Sequence, residues 1–96
     1  MAQRAVASGN RVFEILDREP RLTAPADAQL LPPGGGHVRM SGVSFGYEGG
    51  SGEVLRDIEL DVPAGRTVAV VGATGSGKST LVMLIPRLYD VDQGAV

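Results

Sequence analysis

The chain has 96 residues, a formal charge of −2 and 43% apolar residues, a length suited to one small domain. It has no basic block, which argues against a nucleic-acid surface. It has no cysteine, which excludes disulfides and thiolate metal sites. No run reaches the ~18 apolar residues needed to cross a bilayer, and no signal peptide is visible at Met1, so the chain reads as soluble and cytoplasmic in character.

Residues 1–19 read as a helix. Val12, Ile15, Leu16 and Glu19 fall at i, i+3, i+4 and i+7, and Phe13 widens the apolar stripe. Gly9-Asn10 weakens the middle, Asn10 is a candidate cap for a segment starting at Arg11, and Pro20 stops the helix. By periodicity alone this is a surface helix packing on its own domain. Residues 20–36 are linker: Pro25, Pro32, Pro33 and Gly34-Gly35-Gly36 are stiff and flexible in turn.

His37 to Tyr47 reads as a strand whose apolar positions change parity. Val38 and Met40 are even, whereas Val43, Phe45 and Tyr47 are odd, so the facing side switches near Gly42 and a β-bulge is expected there. His37, the only histidine, reads as a solvated strand end, because no second ligand lies near it. Glu48 to Gly52 is a hairpin loop, and Val54-Leu55 with Ile58, Leu60 and Val62 forms the second strand. Pro63-Ala64-Gly65-Arg66 is a tight turn.

Thr67 to Val71 is a short β-branched run that reads as a buried strand of a parallel sheet. It leads into Gly72-Ala73-Thr74-Gly75-Ser76-Gly77-Lys78-Ser79-Thr80, which fits G-x-x-x-x-G-K-[ST]. Gly72, Gly75 and Gly77 let the backbone curl closely around an anion. Successive N–H groups of the loop, those of Ala73, Thr74 and Ser76 included, would then point inward as a nest. Lys78, the only lysine, brings a full charge to the β- and γ-phosphates, and the Ser79 hydroxyl is a ligand for Mg²⁺. Thr80 adds a hydroxyl toward the α-phosphate.

Leu81, Val82, Leu84, Ile85 and Leu88 load one face of the following helix, which Pro86 should kink or loosen. Tyr89 to Gly94 reads as a polar loop, and Ala95-Val96 as the start of a strand. Asp90 and Asp92 invite a metal reading, but a solvated loop is the simpler account, because no further ligands follow.

In this order the features resemble the ATP-binding domain of ABC transporters, specifically the exporter type. The residues that carry the resemblance are Val43-Ser44-Phe45-Gly46-Tyr47, Val54-Leu55-Arg56-Asp57-Ile58, Pro63-Ala64-Gly65 before Val68-Ala69-Val70-Val71-Gly72, the phosphate loop, Leu81, Pro86-Arg87-Leu88-Tyr89-Asp90 and Gly94. The resemblance implies an α/β fold: a P-loop NTPase-type domain represented by its N-terminal β-hairpin part and its first strand–phosphate loop–helix unit. It implies that residues 37–96 begin the ATP-binding domain. Arg11-Val12-Phe13-Glu14-Ile15-Leu16-Asp17 looks like the segment leaving the last membrane helix of an exporter, so residues 1–19 are expected to continue from a transmembrane domain.

The resemblance also gives Tyr47 a role, stacking on adenine; the alternative from the residues alone is cross-strand packing. It implies ATP and Mg²⁺ as ligands, with a transmembrane domain and a second ATP-binding domain, in a homodimer or heterodimer, as partners. The setting would be the cytoplasmic face of the cell membrane, with ATP binding and hydrolysis driving export. The family's glutamine loop, signature motif, catalytic glutamate and switch histidine have no counterpart up to Val96, so the sequence is expected to be part of a larger protein. This part alone is expected to bind MgATP weakly without turnover and to be marginally stable, with an exposed sheet edge. A P-loop protein of another class, or a non-catalytic nucleotide-binding module, are the other readings.

Overall fold

The computed structural model describes residues 2–96. Helix α1 spans Ala2–Leu16, strand β1 Val38–Phe45, β2 Leu55–Val62, helix α2 Lys78–Leu84 and strand β3 Gln93–Ala95. The three strands form one antiparallel sheet in the order β2-β1-β3, with β1 in the middle.

β1 carries the core, and the parity change in its sequence explains how. Met40 pairs with Leu60 and Val43 with Ile58, so β1 advances three residues while β2 advances two. The extra residue is absorbed at Gly42, whose φ of 57° suits glycine. The bulge turns Met40, Val43 and Phe45 onto one buried face despite their mixed parity. The Glu59 carboxylate steadies it by accepting the Gly42 N–H at 2.6 Å and the Ser41 hydroxyl at 3.3 Å.

A second irregularity lies across the hairpin, where the apolar positions of β2 also change parity between Leu55 and Ile58. Between Val43↔Ile58 and Phe45↔Leu55 the extra residue belongs to β2. Asp57 takes it up with φ 46°, and its N–H donates to Ser44 Oγ at 3.0 Å. The two offsets cancel, and Leu55 also reaches the core.

β3 completes the sheet on the other side of β1, with Ser41 opposite Ala95 and Ser44 opposite Gln93. Gly94 lies against the bulge with φ 82°. A β-carbon there would fall on the carbonyl oxygens of Ser41 and Gly42. Asp92 fixes the approach: its N–H donates to Ser44 O at 2.9 Å and its carboxylate accepts the Gly46 N–H at 2.8 Å.

α2 adds Leu81 and Leu84 to Met40, Val43, Phe45 and Leu55, with Ile58, Leu60 and Val91 packed alongside. The helix is shorter than its apolar pattern. Pro86 has no N–H for the Val82 carbonyl, and the Ile85 N–H takes that carbonyl instead at 3.3 Å. The chain then turns out of the helix through Arg87, at φ 55°.

Two expectations are corrected. Thr67 to Val71 forms no strand: it is exposed throughout and has no ladder partner among the described residues. A parallel strand needs hydrogen-bonded neighbours and cover on its faces, and here Val71 is 87% exposed. α1 does not pack on its own domain either, since none of its described residues is buried. It runs unbroken through Gly9-Asn10, and Val6, Val12, Phe13, Ile15 and Leu16 remain exposed.

Gly94→Ala should lower stability by roughly 2 kcal/mol or more, because strain at positive φ adds to a clash with backbone. Gly49 has a similar φ of 73° but open space around it, so Gly49→Ala should cost only the strain, about 1 kcal/mol. Urea midpoints of the two variants measure the difference; equal losses would contradict the close approach of β3 to the bulge.

Candidate phosphate-binding site

The loop from Gly72 to Gly77 is shaped by its glycines and its own hydrogen bonds. The Ser76 N–H closes a turn on Ala73 O at 3.1 Å. Gly75 and Gly77 sit at φ 82° and 91°, a region other residues enter only with strain. Gly77 is also the N-cap of α2, and its carbonyl accepts the Leu81 N–H at 2.9 Å.

Space around two of these glycines is also tight, at Gly72 against a side-chain hydroxyl that can turn away and at Gly77 against backbone as well. A β-carbon on Gly72 would lie 2.7 Å from Ser76 Oγ. One on Gly77 would lie 2.9 Å from Leu55 Cδ2 and 3.2 Å from Val54 O. The start of β2 therefore buttresses the end of the loop, a supporting role for Val54 and Leu55 that the sequence pattern did not reveal.

Lys78 folds back over this loop. Its Nζ donates to Gly72 O and Ala73 O, both at 2.7 Å, and to Ser76 Oγ at 3.3 Å. The ammonium thus sits among oxygen atoms contributed by the loop itself. Ala73, Thr74 and Ser79 are exposed, with Ser79 on the first turn of α2.

Thr80 is buried, and its hydroxyl lies 2.8 Å from the Tyr47 hydroxyl. Tyr47 follows β1, is 38% exposed and stands nearly perpendicular to Phe45 and Tyr89, with ring centroids 5.0 and 5.3 Å away. An open cleft of about 910 Å³ borders this aromatic group and the segment leaving α1. Arg21 pairs with Glu48, joining that segment to the loop after Tyr47.

The remaining polar candidates are engaged elsewhere. His37 Nε2 meets Asp61 Oδ1 at 2.6 Å on the exposed end of the hairpin. Asp90 accepts two hydrogen bonds from Arg87, at 2.7 and 3.1 Å, and Asp92 holds β1 as described. No three acidic, histidine or cysteine side chains among the described residues group as a metal site.

A glycine-bounded loop closing on a lysine at the start of a helix has the form of the P-loop motif. Residues 55–96 match the family model described as ABC transporter. The chain is 48% identical over 95 residues to an ABC transporter ATP-binding protein of Mycobacterium tuberculosis, covering 97% of this chain. It is 42% identical over 94 residues to the ATP-dependent lipid A-core flippase of Escherichia coli, covering 98% of this chain. A solved bacterial Atm1-family ABC exporter with ATP bound superimposes with a TM-score of 0.78 at 30% identity over 96% of this chain. The chain belongs to the ABC transporter family and corresponds to part of an exporter-type ATP-binding domain. It spans 16% of the length of each of these relatives.

Hydrogen bonding to Arg87 holds the Asp90 carboxyl below its ordinary pKa. A depressed carboxylate pKa stabilises the turn above the ordinary value, and that contribution is lost as pH falls through the depressed one. In Arg87→Ala the Asp90 titration, followed by carboxyl carbon NMR, should move up toward the ordinary value. An unmoved titration would contradict the pairing.

Proposed function

We propose that residues 72–80 bind the triphosphate of MgATP as part of an ATP-driven membrane exporter. In this reading residues 37–96 begin the ATP-binding domain. Residues 20–36 are a linker, and the helix before it continues from a transmembrane domain on the cytoplasmic side of the membrane. No helix of the described residues is itself long and apolar enough to cross a membrane; the spans would belong to other parts of the exporter. A second ATP-binding domain would complete the site.

The supporting observation is the position of the Lys78 ammonium. It is held by two loop carbonyls at 2.7 Å and sits beside the backbone of Ala73 to Gly77. Phosphate oxygens are stronger acceptors for an ammonium than neutral carbonyls, because the bond is then charge-assisted on both sides. The loop holds the cation in reserve, and a polyphosphate would take over its hydrogen bonds. Loop amides and Lys78 together would spread positive charge over the phosphate oxygens, the main requirement of phosphoryl transfer.

The donor set suits Mg²⁺. This ion keeps several waters and accepts one or two protein ligands beside the phosphates, and Ser79 offers one exposed hydroxyl on the first turn of α2. The ion would supply charge neutralisation at the phosphates. Tyr47 would serve as the platform for the adenine ring, from the cleft bordered by Phe45 and Tyr89.

Isothermal titration should show MgATP binding that weakens about 10- to 100-fold in Lys78→Ala, the worth of a lost charged hydrogen bond. Affinity indifferent to that substitution would refute the reading. No turnover is expected of this chain alone, and steady phosphate release lost on Lys78→Ala would contradict that.

A further inference from the structure

The phosphate loop and the aromatic end of β1 are joined by one hydrogen bond, between the hydroxyls of Tyr47 and Thr80. We propose that this bond is a positioning device: it fixes the ring of Tyr47 at a set distance and angle from the phosphate seat. The loop and the ring would then act on one nucleotide as a single unit. The proposal rests on the reading of residues 72–80 as the triphosphate site.

Thr80 can serve as an anchor because it does not move independently. Its side chain is only 6% exposed, and the next residue, Leu81, is in the core together with Leu84. Thr80 also lies two positions beyond Lys78, so whatever fixes Thr80 is fixed relative to the loop.

Tyr47 gains from an anchor on its ring. Its carbonyl accepts the Gly50 N–H at 3.0 Å and the neighbouring Gly46 N–H is held by Asp92, but these backbone bonds do not fix its side-chain torsions. It lies beyond the end of β1, next to a loop containing Gly46, Gly49, Gly50 and Gly52. Its ring meets Phe45 and Tyr89 edge to face, contacts that favour this orientation but hold the ring less directionally than a hydrogen bond does. A hydroxyl held at 2.8 Å adds a directional restraint. The same bond satisfies the buried oxygen of Thr80, which would otherwise lose its partner at a cost.

The Tyr47 hydroxyl is thereby assigned work separate from that of the ring. Stacking needs only an aromatic face, which phenylalanine also offers. What phenylalanine lacks is the tie to α2. The substrate chemistry that benefits is a ligand with both a base and a polyphosphate, as opposed to a polyphosphate alone.

The test compares affinities for MgATP and for magnesium tripolyphosphate on the same protein. Their ratio isolates the contribution of the nucleoside, and a general loss of structure weakens both ligands together. In Tyr47→Phe the ratio should fall about 2- to 10-fold, the value of one hydrogen bond. Thr80→Val should lower it similarly, the double variant no further than either single one, and Thr80→Ser should keep it close to the original.

An unchanged ratio in Tyr47→Phe, or additive losses in the double variant, would overturn the proposal. Tyr47→Phe keeps the ring and removes one oxygen, so it carries the test alone should Thr80→Val fail to fold. Lys78→Ala distinguishes the two levels of the argument. Tripolyphosphate binding that depends on Lys78, with a ratio that does not respond to Tyr47→Phe, removes only the tie. Binding of neither ligand removes the phosphate site and the tie with it.

Discussion

A single ammonium held by its own loop is the interaction on which the rest of the site depends. Lys78 Nζ sits 2.7 Å from the carbonyls of Gly72 and Ala73, and this determines what the loop can accept. Neutral carbonyls satisfy an ammonium adequately but are easily outcompeted by an anion. The loop keeps its cation oriented without burying it, and in the proposed reading would give it up to a polyphosphate. A lysine extended into water would first lose the rotamer freedom of a long side chain on binding; one already folded back has lost it in advance.

Supporting that loop is the task of the small β-sheet. Leu55 and Val54 stand against Gly77, and Leu55 belongs to the same core as Met40, Val43, Phe45, Leu81 and Leu84. The core therefore connects the sheet to the loop through Leu55 and to Tyr47 through Phe45. The paired bulges at Gly42 and Asp57 make this possible. Without them, Met40 and Phe45 would lie on opposite faces of β1. Gly94 follows from the same geometry, since the carbonyls displaced at the bulge leave room only for a hydrogen.

The legible part of the sequence was its local part. The parity switch in β1 exposed the bulge at Gly42, Pro63 to Arg66 declared a turn, and the spacing of Gly72, Gly77, Lys78 and Ser79 declared the loop. What pattern could not show lies across long separations. The Tyr47–Thr80 bond joins residues 33 apart, and the Asp92 carboxylate reaches the Gly46 N–H across 46. The second bulge fell on Asp57, whose marks were a parity change between Leu55 and Ile58 and the tolerance of aspartate for positive φ. The run from Thr67 to Val71 has the composition of a central strand, yet strand formation belongs to a pair of segments and not to one. Its apolar side chains show a segment suited to cover on both faces, and it pairs with none of the described residues.

The same reasoning applies to α1. Its apolar stripe was legible from Val12, Ile15 and Leu16, but periodicity shows only that a face exists and not what covers it. The central claim, that loop carbonyls hold Lys78 ready for a polyphosphate, is tested most directly by NMR of the Lys78 ammonium and the loop amides during titration with magnesium tripolyphosphate. The account predicts that the largest shifts fall on Lys78 Nζ and on the N–H groups of Ala73 to Lys78. Shifts spread evenly over the surface, or a Lys78 ammonium that does not respond, would contradict it.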